Sequence, residues 1–214
     1  VHAINPKVEI IGAQAKSYAA VKNMIDGENH KIGGSTVAEG IAVKHPGEDN
    51  VKIIKKLVSR IEIATETEIE EAIFDFLSAE KLVAEGAAGA GLAVVKNNLD
   101  HFKGKKVGLV VCGGNIDSRM LSTLIMRGLV RDGRITRLRF EIDDTPGQLA
   151  DIARIIGESQ ANVIEVIHQR MMQAVPLKRA ELDVVIEAQD KDHVKRILKA
   201  LRKHGFTVDA KSEV

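Results

Sequence analysis

Apolar residues fall along this chain in two rhythms, and the change between them comes near Asp132-Gly133-Arg134. In the first part they gather in unbroken runs. Val8–Gln14 and Val107–Cys112 read as buried strands, Arg60–Ala64 as a shorter one. Between them the spacing turns helical: Lys16–Asp26, stopping at Gly27; a short helix over Val37–Val43, ended by His45-Pro46-Gly47; Asn50–Ser59; and Ser118–Arg131. Thr65 followed by Glu68 is a capping-box signature, and behind it Ile69, Ala72, Ile73, Phe76 and Leu77 share one helix face. Continuous apolar strands interleaved with helices predict an α/β sheet covered on both faces.

After residue 133 the strands alternate. Leu138, Phe140 and Ile142 point one way, with Arg137, Arg139 and Glu141 the other; Ala180, Leu182, Val184, Ile186 and Ala188 repeat the pattern. Alternation predicts a sheet with one wet face. A helix carrying Leu149, Ile152, Ala153 and Ile156 and a strand over 162–171 lie between the two. A helix carrying Val194, Ile197, Leu198 and Leu201 and a last strand over 206–210 follow. The order is βαββαβ, a ferredoxin-like arrangement. The domains are therefore 1–133 and 134–214.

Composition narrows the functions. There are 31 basic and 30 acidic residues, for a net charge of +1, so no electrostatic footprint for nucleic acid or an anionic membrane is expected. No apolar run approaches the ~18 residues of a membrane helix. The one cysteine, Cys112, fits a reducing cytoplasm. At Val1–Pro6 a few residues of helix tail run straight into a strand, the look of a chain cut inside an element. The seven histidines have no ligand spacing, and no metal site is expected.

Three motifs bear on chemistry. Asp144-Thr145-Pro146-Gly147 lies between a strand and a helix, where helix N–H groups are open to a carboxylate. Glu85-Gly86-Ala87-Ala88-Gly89-Ala90-Gly91 spaces its glycines G-x-x-G-x-G, the reverse of the dinucleotide fingerprint, so it reads as close packing at a helix start. Val110-Val111-Cys112-Gly113-Gly114-Asn115 puts a thiol and two glycines at the C-terminal end of an expected strand, the edge where open α/β sheets bind ligands.

The blocks at 35–48 (STVAEGIAVKHPGE), 83–93 (VAEGAAGAGLA) and 110–117 (VVCGGNID), in that order, resemble the serine/threonine dehydratases, which are fold-type-II pyridoxal-phosphate enzymes. The pattern D-x-P-G-x-L with the following Asn162-Val163-Ile164 and VIEVIHQR (163–170), then Val175-Pro176-Leu177, resembles the ACT domain behind threonine ammonia-lyases. The resemblance implies a partial catalytic α/β domain followed by an amino-acid-binding regulatory domain. It implies pyridoxal phosphate as cofactor of the complete enzyme, with Cys112 against the ring nitrogen and Glu85, Gly113 and Gly114 beside the ring. A thiol there, unlike a carboxylate, does not hold that nitrogen protonated, which makes the ring a weaker electron sink. The resemblance also implies allosteric regulation, with Asp144, Gly147, Leu149 and Asn162 as effector contacts and homo-oligomers formed through the ACT domain. His168, a lone histidine on the strand, reads as structural. An isoleucine or valine effector would suit isoleucine biosynthesis.

Two departures matter. The family's Schiff-base lysine motif, Ser-x-Lys-x-Arg-Gly, and its glycine-rich phosphate loop do not occur in the sequence. Lys81 and Lys96, nearest the Glu85 block, read as solvated helix residues, so no catalytic residue is assigned. Gln14 stands where cation-binding family members use carboxylates near the first strand. The chain is expected to be a threonine ammonia-lyase portion inactive by itself; the alternative is a non-catalytic amino-acid sensor with a relic catalytic segment.

Overall fold

The computed structural model describes residues 1–169 and 179–211; Val175-Pro176-Leu177 of the ACT resemblance lies outside them. The chain divides into two compact units, Val1–Leu124 and Ile125–Val214.

In the first unit, β1 (Ile11–Ala15) leads through a single 3-10 turn (Lys16–Tyr18) into α1 (Ala20–Asp26). Gly27 ends α1 in the left-handed conformation, φ +71°, donating its N–H to the Asn23 carbonyl. The expected helix over 37–43 is one 3-10 turn, Glu39–Ile41. Then come α2 (Glu48–Leu57) and β2 (Arg60–Ala64), which pairs parallel with β1 from Ile11–Arg60 to Ala15–Ala64. The capping box opens α3 (Glu66–Glu80): the Thr65 N–H donates to Glu68 Oε2 at 2.6 Å and the Glu68 N–H to Thr65 Oγ1 at 3.4 Å. Burial opposes the Glu68 charge, but the Thr65 N–H and hydroxyl, with Asn97 and the nearby Lys16 charge, together outweigh it and hold the carboxyl below the usual glutamate range.

The apolar face of α3 meets α4 (Gly86–Asn97). The core between them is built largely from small residues, with Ala72, Ala90 and Ala93 packed around Ile69, Ile73 and Val94. Glycine sets the approach: a Cβ on Gly89 would lie 2.9 Å from Ile73 Cγ1, and one on Gly86 only 1.9 Å from the Val37 carbonyl oxygen. A short α5 (Leu99–Phe102) follows.

The buried strand expected over Val107–Cys112 is absent. No strand or helix is assigned from Lys103 to Asp117, and Val110 is 85% exposed. The sheet of this unit consists of β1 and β2 alone among the described residues, and residues 107–112 pair with neither. A run apolar enough for a central strand is buried only when neighbours cover it.

The division between units falls inside α6 (Ser118–Arg131). The second unit continues with β3 (Ile135–Asp143), α7 (Gln148–Glu158), β4 (Asn162–Gln169), β5 (Arg179–Glu187), α8 (Lys191–Lys203) and β6 (Thr207–Lys211). The sheet order is β4-β5-β3-β6, antiparallel throughout. Leu138, Phe140, Leu182, Val184 and Ile186 face a core closed by Ile152, Ile155 and Ile156 of α7 and Ile197 and Leu201 of α8. On α7 the buried stripe differs from the expected one: Ile155 is inside, while Leu149 and Ala153 are exposed. The other face of the sheet is less wet than alternation suggests. Asp183 is only 5% exposed, held by two 2.8 Å bonds from Arg139 Nε and Nη2, and Val185 beside it is 3% exposed.

Candidate functional site

Two places gather chemistry, one in each unit. In the first unit, Glu85 is the N-cap residue of α4, in extended conformation, so its side chain stands clear of the helix. Its carboxylate lies between two glycines. A Cβ on Gly113 would fall 2.3 Å from Glu85 Cδ, and one on Gly40 would fall 3.1 Å from Glu85 Oε1. Gly113 has φ +83°, a conformation that glycine adopts without cost. The Gly113 carbonyl accepts the Glu85 N–H at 3.3 Å, and Gly114 lies against the Val83 carbonyl. The structure thus brings Glu85, Gly113 and Gly114 together, although Gly113 lies 28 positions after Glu85 along the chain. Cys112, next to them, is exposed with a free thiol. Gly40, clasping the carboxylate from the other side, was not read from the sequence; its place within the 35–48 block is the only sign of it.

These residues suit one wall of a pyridoxal site, with two glycines permitting close approach, a carboxylate and a thiol. They do not supply the rest. Lys81 is the left-handed C-cap of α3 and donates to the Ser78 carbonyl at 2.6 Å. Lys96 pairs with Asp75 and, at 3.8 Å, with Glu71. Both lysines flanking Glu85 in sequence are therefore engaged as surface ion-pair or capping groups. Among the described residues no group of three or more His, Cys, Asp or Glu could hold a metal ion, and no helix is long and apolar enough to cross a membrane.

In the second unit, the turn Asp144–Gly147 connects β3 to α7 and borders a cavity of about 430 Å³. Gly147 is the N-cap of α7 at φ +96°. No atom stands within 4 Å of where its Cβ would be, so glycine is needed here for backbone conformation and not for close approach. Asp144, Gly147 and Leu149 line this cavity together with Ala150 and Ala153, and their apolar surface explains why Leu149 and Ala153 stay out of the core. His168 lines it too, so the lone histidine that read as structural sits beside the turn. Asn162 does not. It opens β4, opposite Glu187, whereas His168 stands opposite Leu182. Six residues of strand, about 20 Å, separate them. Asn162 Nδ2 donates to Glu187 Oε2 at 3.3 Å.

Residues 1–113 match the family described as pyridoxal-phosphate dependent enzyme, and residues 132–205 match the ACT domain. An L-threonine ammonia-lyase of Thermotoga maritima is 38% identical over 97% of this chain and 52% of its own length. A protein of the same name from Geobacter sulfurreducens is 36% identical over 96% of this chain and 52% of its own. The chain therefore spans about half the length of the curated relatives it matches. The solved processed form of threonine deaminase isoform 2 from Solanum lycopersicum has a TM-score of 0.50 at 22% identity, covering 58% of this chain and 36% of that one, which shows likeness of fold alone.

Proposed function

The chain belongs to the pyridoxal-phosphate dependent enzyme family, and from that premise we propose that it is part of a threonine ammonia-lyase whose ACT domain senses an amino acid. The observation that carries this reading is that identity to two L-threonine ammonia-lyases runs through both units, over 97% and 96% of the chain. In the complete cytoplasmic enzyme, pyridoxal phosphate supplies the electron sink for removing water and ammonia from threonine. By the family resemblance Cys112 would face the ring nitrogen, and Glu85, Gly113 and Gly114 would form the wall beside the ring. Gly40 and Gly113 hold the Glu85 carboxylate in one place, so it meets substrate without reorganising. In this reading the lysine and phosphate loop come from polypeptide outside these residues, whose sequence carries neither motif.

The regulatory domain, beginning near residue 134, holds its effector at the Asp144–Gly147 turn. The effector carboxylate meets the first N–H groups of α7, and its aliphatic side chain enters the space lined by Leu149, Ala150 and Ala153. Asn162 belongs to this site through a second copy. β4 is the outer strand of the described sheet, and a two-fold axis pairing β4 with its twin antiparallel brings Asn162 of one copy toward the turn of the other.

The test is 2-oxobutanoate release from L-threonine with pyridoxal phosphate added. The expected result is no turnover by the purified chain, and turnover when it is combined with the portion of the Thermotoga relative that the match does not span. Turnover by the chain alone would show that the lysine assignment is wrong. A stable but inactive combination would favour the second reading, a non-catalytic amino-acid sensor.

A further inference from the structure

The strand-to-helix turn of the second unit has a cavity on each side. The one described above lies toward β4. The other, of about 400 Å³, lies toward β6, between the end of β3, α7, the start of β5 and the residues leading into β6. We propose that this second cleft binds a polar amino acid at a site separate from the effector cavity. The inference borrows from the amino-acid-sensing reading only the idea that such ligands are met here; the site itself rests on its own residues.

The argument starts from charge. Arg179 Nη1 lies 3.2 Å from Asp143 Oδ1 and its Nη2 lies 3.7 Å from Glu141 Oε2. Across the cleft, Arg154 of α7 pairs with Asp151 at 3.3 Å and with Glu158 at 3.1 Å. The side chains in these pairs are between 42% and 67% exposed. Exposed pairs of this kind contribute little to stability, so exchanging one partner costs little. A zwitterion makes that exchange in balance. Its carboxylate takes a guanidinium, and its ammonium takes the carboxylate so released. A simple anion or cation would leave one protein charge without its partner.

The ligand's side chain follows from the walls. Ile142 and Ile155 line the cleft but are only 4% and 2% exposed, so they offer almost no apolar surface. The accessible surface is mostly polar, from charged groups with His204 and Thr207, and the half-buried Phe206 ring adds a small apolar part. That favours a hydroxyl-bearing amino acid such as threonine or serine. The cavity on the β4 side, lined by Pro146, Leu149, Ala150 and Ala153, has the opposite character and favours an aliphatic one. Ile142, Asp143 and Gln148 line both, so a ligand that draws Asp143 away from Arg179 alters a wall shared with the other site.

The test is calorimetric titration of the full chain with L-threonine and, separately, L-isoleucine. Arg154 lines only the cleft on the β6 side and Ala153 only the other. Arg154→Ala, at an exposed helix position that alanine suits, is expected to weaken threonine binding by about fivefold and leave isoleucine binding in place. Arg179→Gln should weaken threonine binding likewise. Ala153→Phe, which fills the β4-side cavity, should do the reverse. The inference is overturned if threonine does not bind at millimolar concentration, if Arg154→Ala leaves its binding unchanged, or if Ala153→Phe abolishes binding of both amino acids. Should threonine bind in an Arg154-dependent way while isoleucine binds nowhere, the cleft stands and the effector reading of the turn falls.

Discussion

Replacing Gly113 with alanine tests whether the Glu85 carboxylate is held where the structure puts it. Two costs arise. At φ +83° any side chain is strained, which costs about 1–2 kcal/mol and does not depend on Glu85. The new Cβ also falls 2.3 Å from Glu85 Cδ and 2.4 Å from its Oε1, well inside contact distance. The carboxylate ends a flexible, half-buried side chain, so this second cost arises only where the site holds it fixed against Gly40. Overpacking against a fixed group costs about 1–3 kcal/mol more. Removing the Glu85 side chain cancels only the second cost. A double-mutant cycle by urea unfolding, comparing Gly113→Ala, Glu85→Ala and the pair, should therefore give a favourable coupling of about 1–3 kcal/mol. Strict additivity would refute the reasoning, because it would mean that Glu85 swings aside freely and is not a fixed wall of the site.

Other outcomes follow from the same coordinates. Gly86→Ala puts a Cβ 1.9 Å from the Val37 carbonyl oxygen, a backbone atom that cannot rotate away, so the first unit should lose about 3 kcal/mol or more, read from the urea midpoint. The Glu68 carboxyl is held below its usual range by Thr65 despite burial, so its folded pKa lies below its unfolded one. Its stabilisation is accordingly full above the unfolded value of about 4.3 and is lost as pH falls through the folded value. Glu68→Gln should remove about 0.5–1 kcal/mol near neutrality and flatten the acid limb of the stability curve; an unchanged acid limb would show that the cap carries no charge-dependent share. In the enzyme completed with the relative's missing portion, Cys112→Ser should keep most 2-oxobutanoate production and Cys112→Asp should lose it, since a carboxylate would protonate the ring nitrogen. Equal activities would make Cys112 a bystander.

What the sequence determined by itself is what depends on near neighbours. Thr65 and Glu68 are three residues apart, and their reciprocal bonds form wherever that helix starts. Gly27 stops α1 because the next conformation is left-handed. Leu138, Phe140 and Ile142 share a face by the period of the strand alone, and βαββαβ follows from the order of such elements. The blocks at 35–48, 83–93 and 110–117 carried the family as well, since each is contiguous in the chain.

What tertiary structure decided is what depends on residues far apart. Val107–Cys112 has the composition of a buried strand, but a strand exists only when another chain segment offers it hydrogen bonds, and that partner is invisible in the run itself. Asp183 lies on the face that alternation marked as wet, yet Arg139, 44 residues away, buries it. Asn162 and His168 differ by six positions on one strand, and only the register of β4 against β5 showed which stands beside the turn. Gly40, Glu85 and Gly113 come from three distant segments, and their contact is a fact of packing. Periodicity fixes the face on which a residue lies; what stands opposite that face is set by the free energy of the whole fold, to which every segment contributes at once.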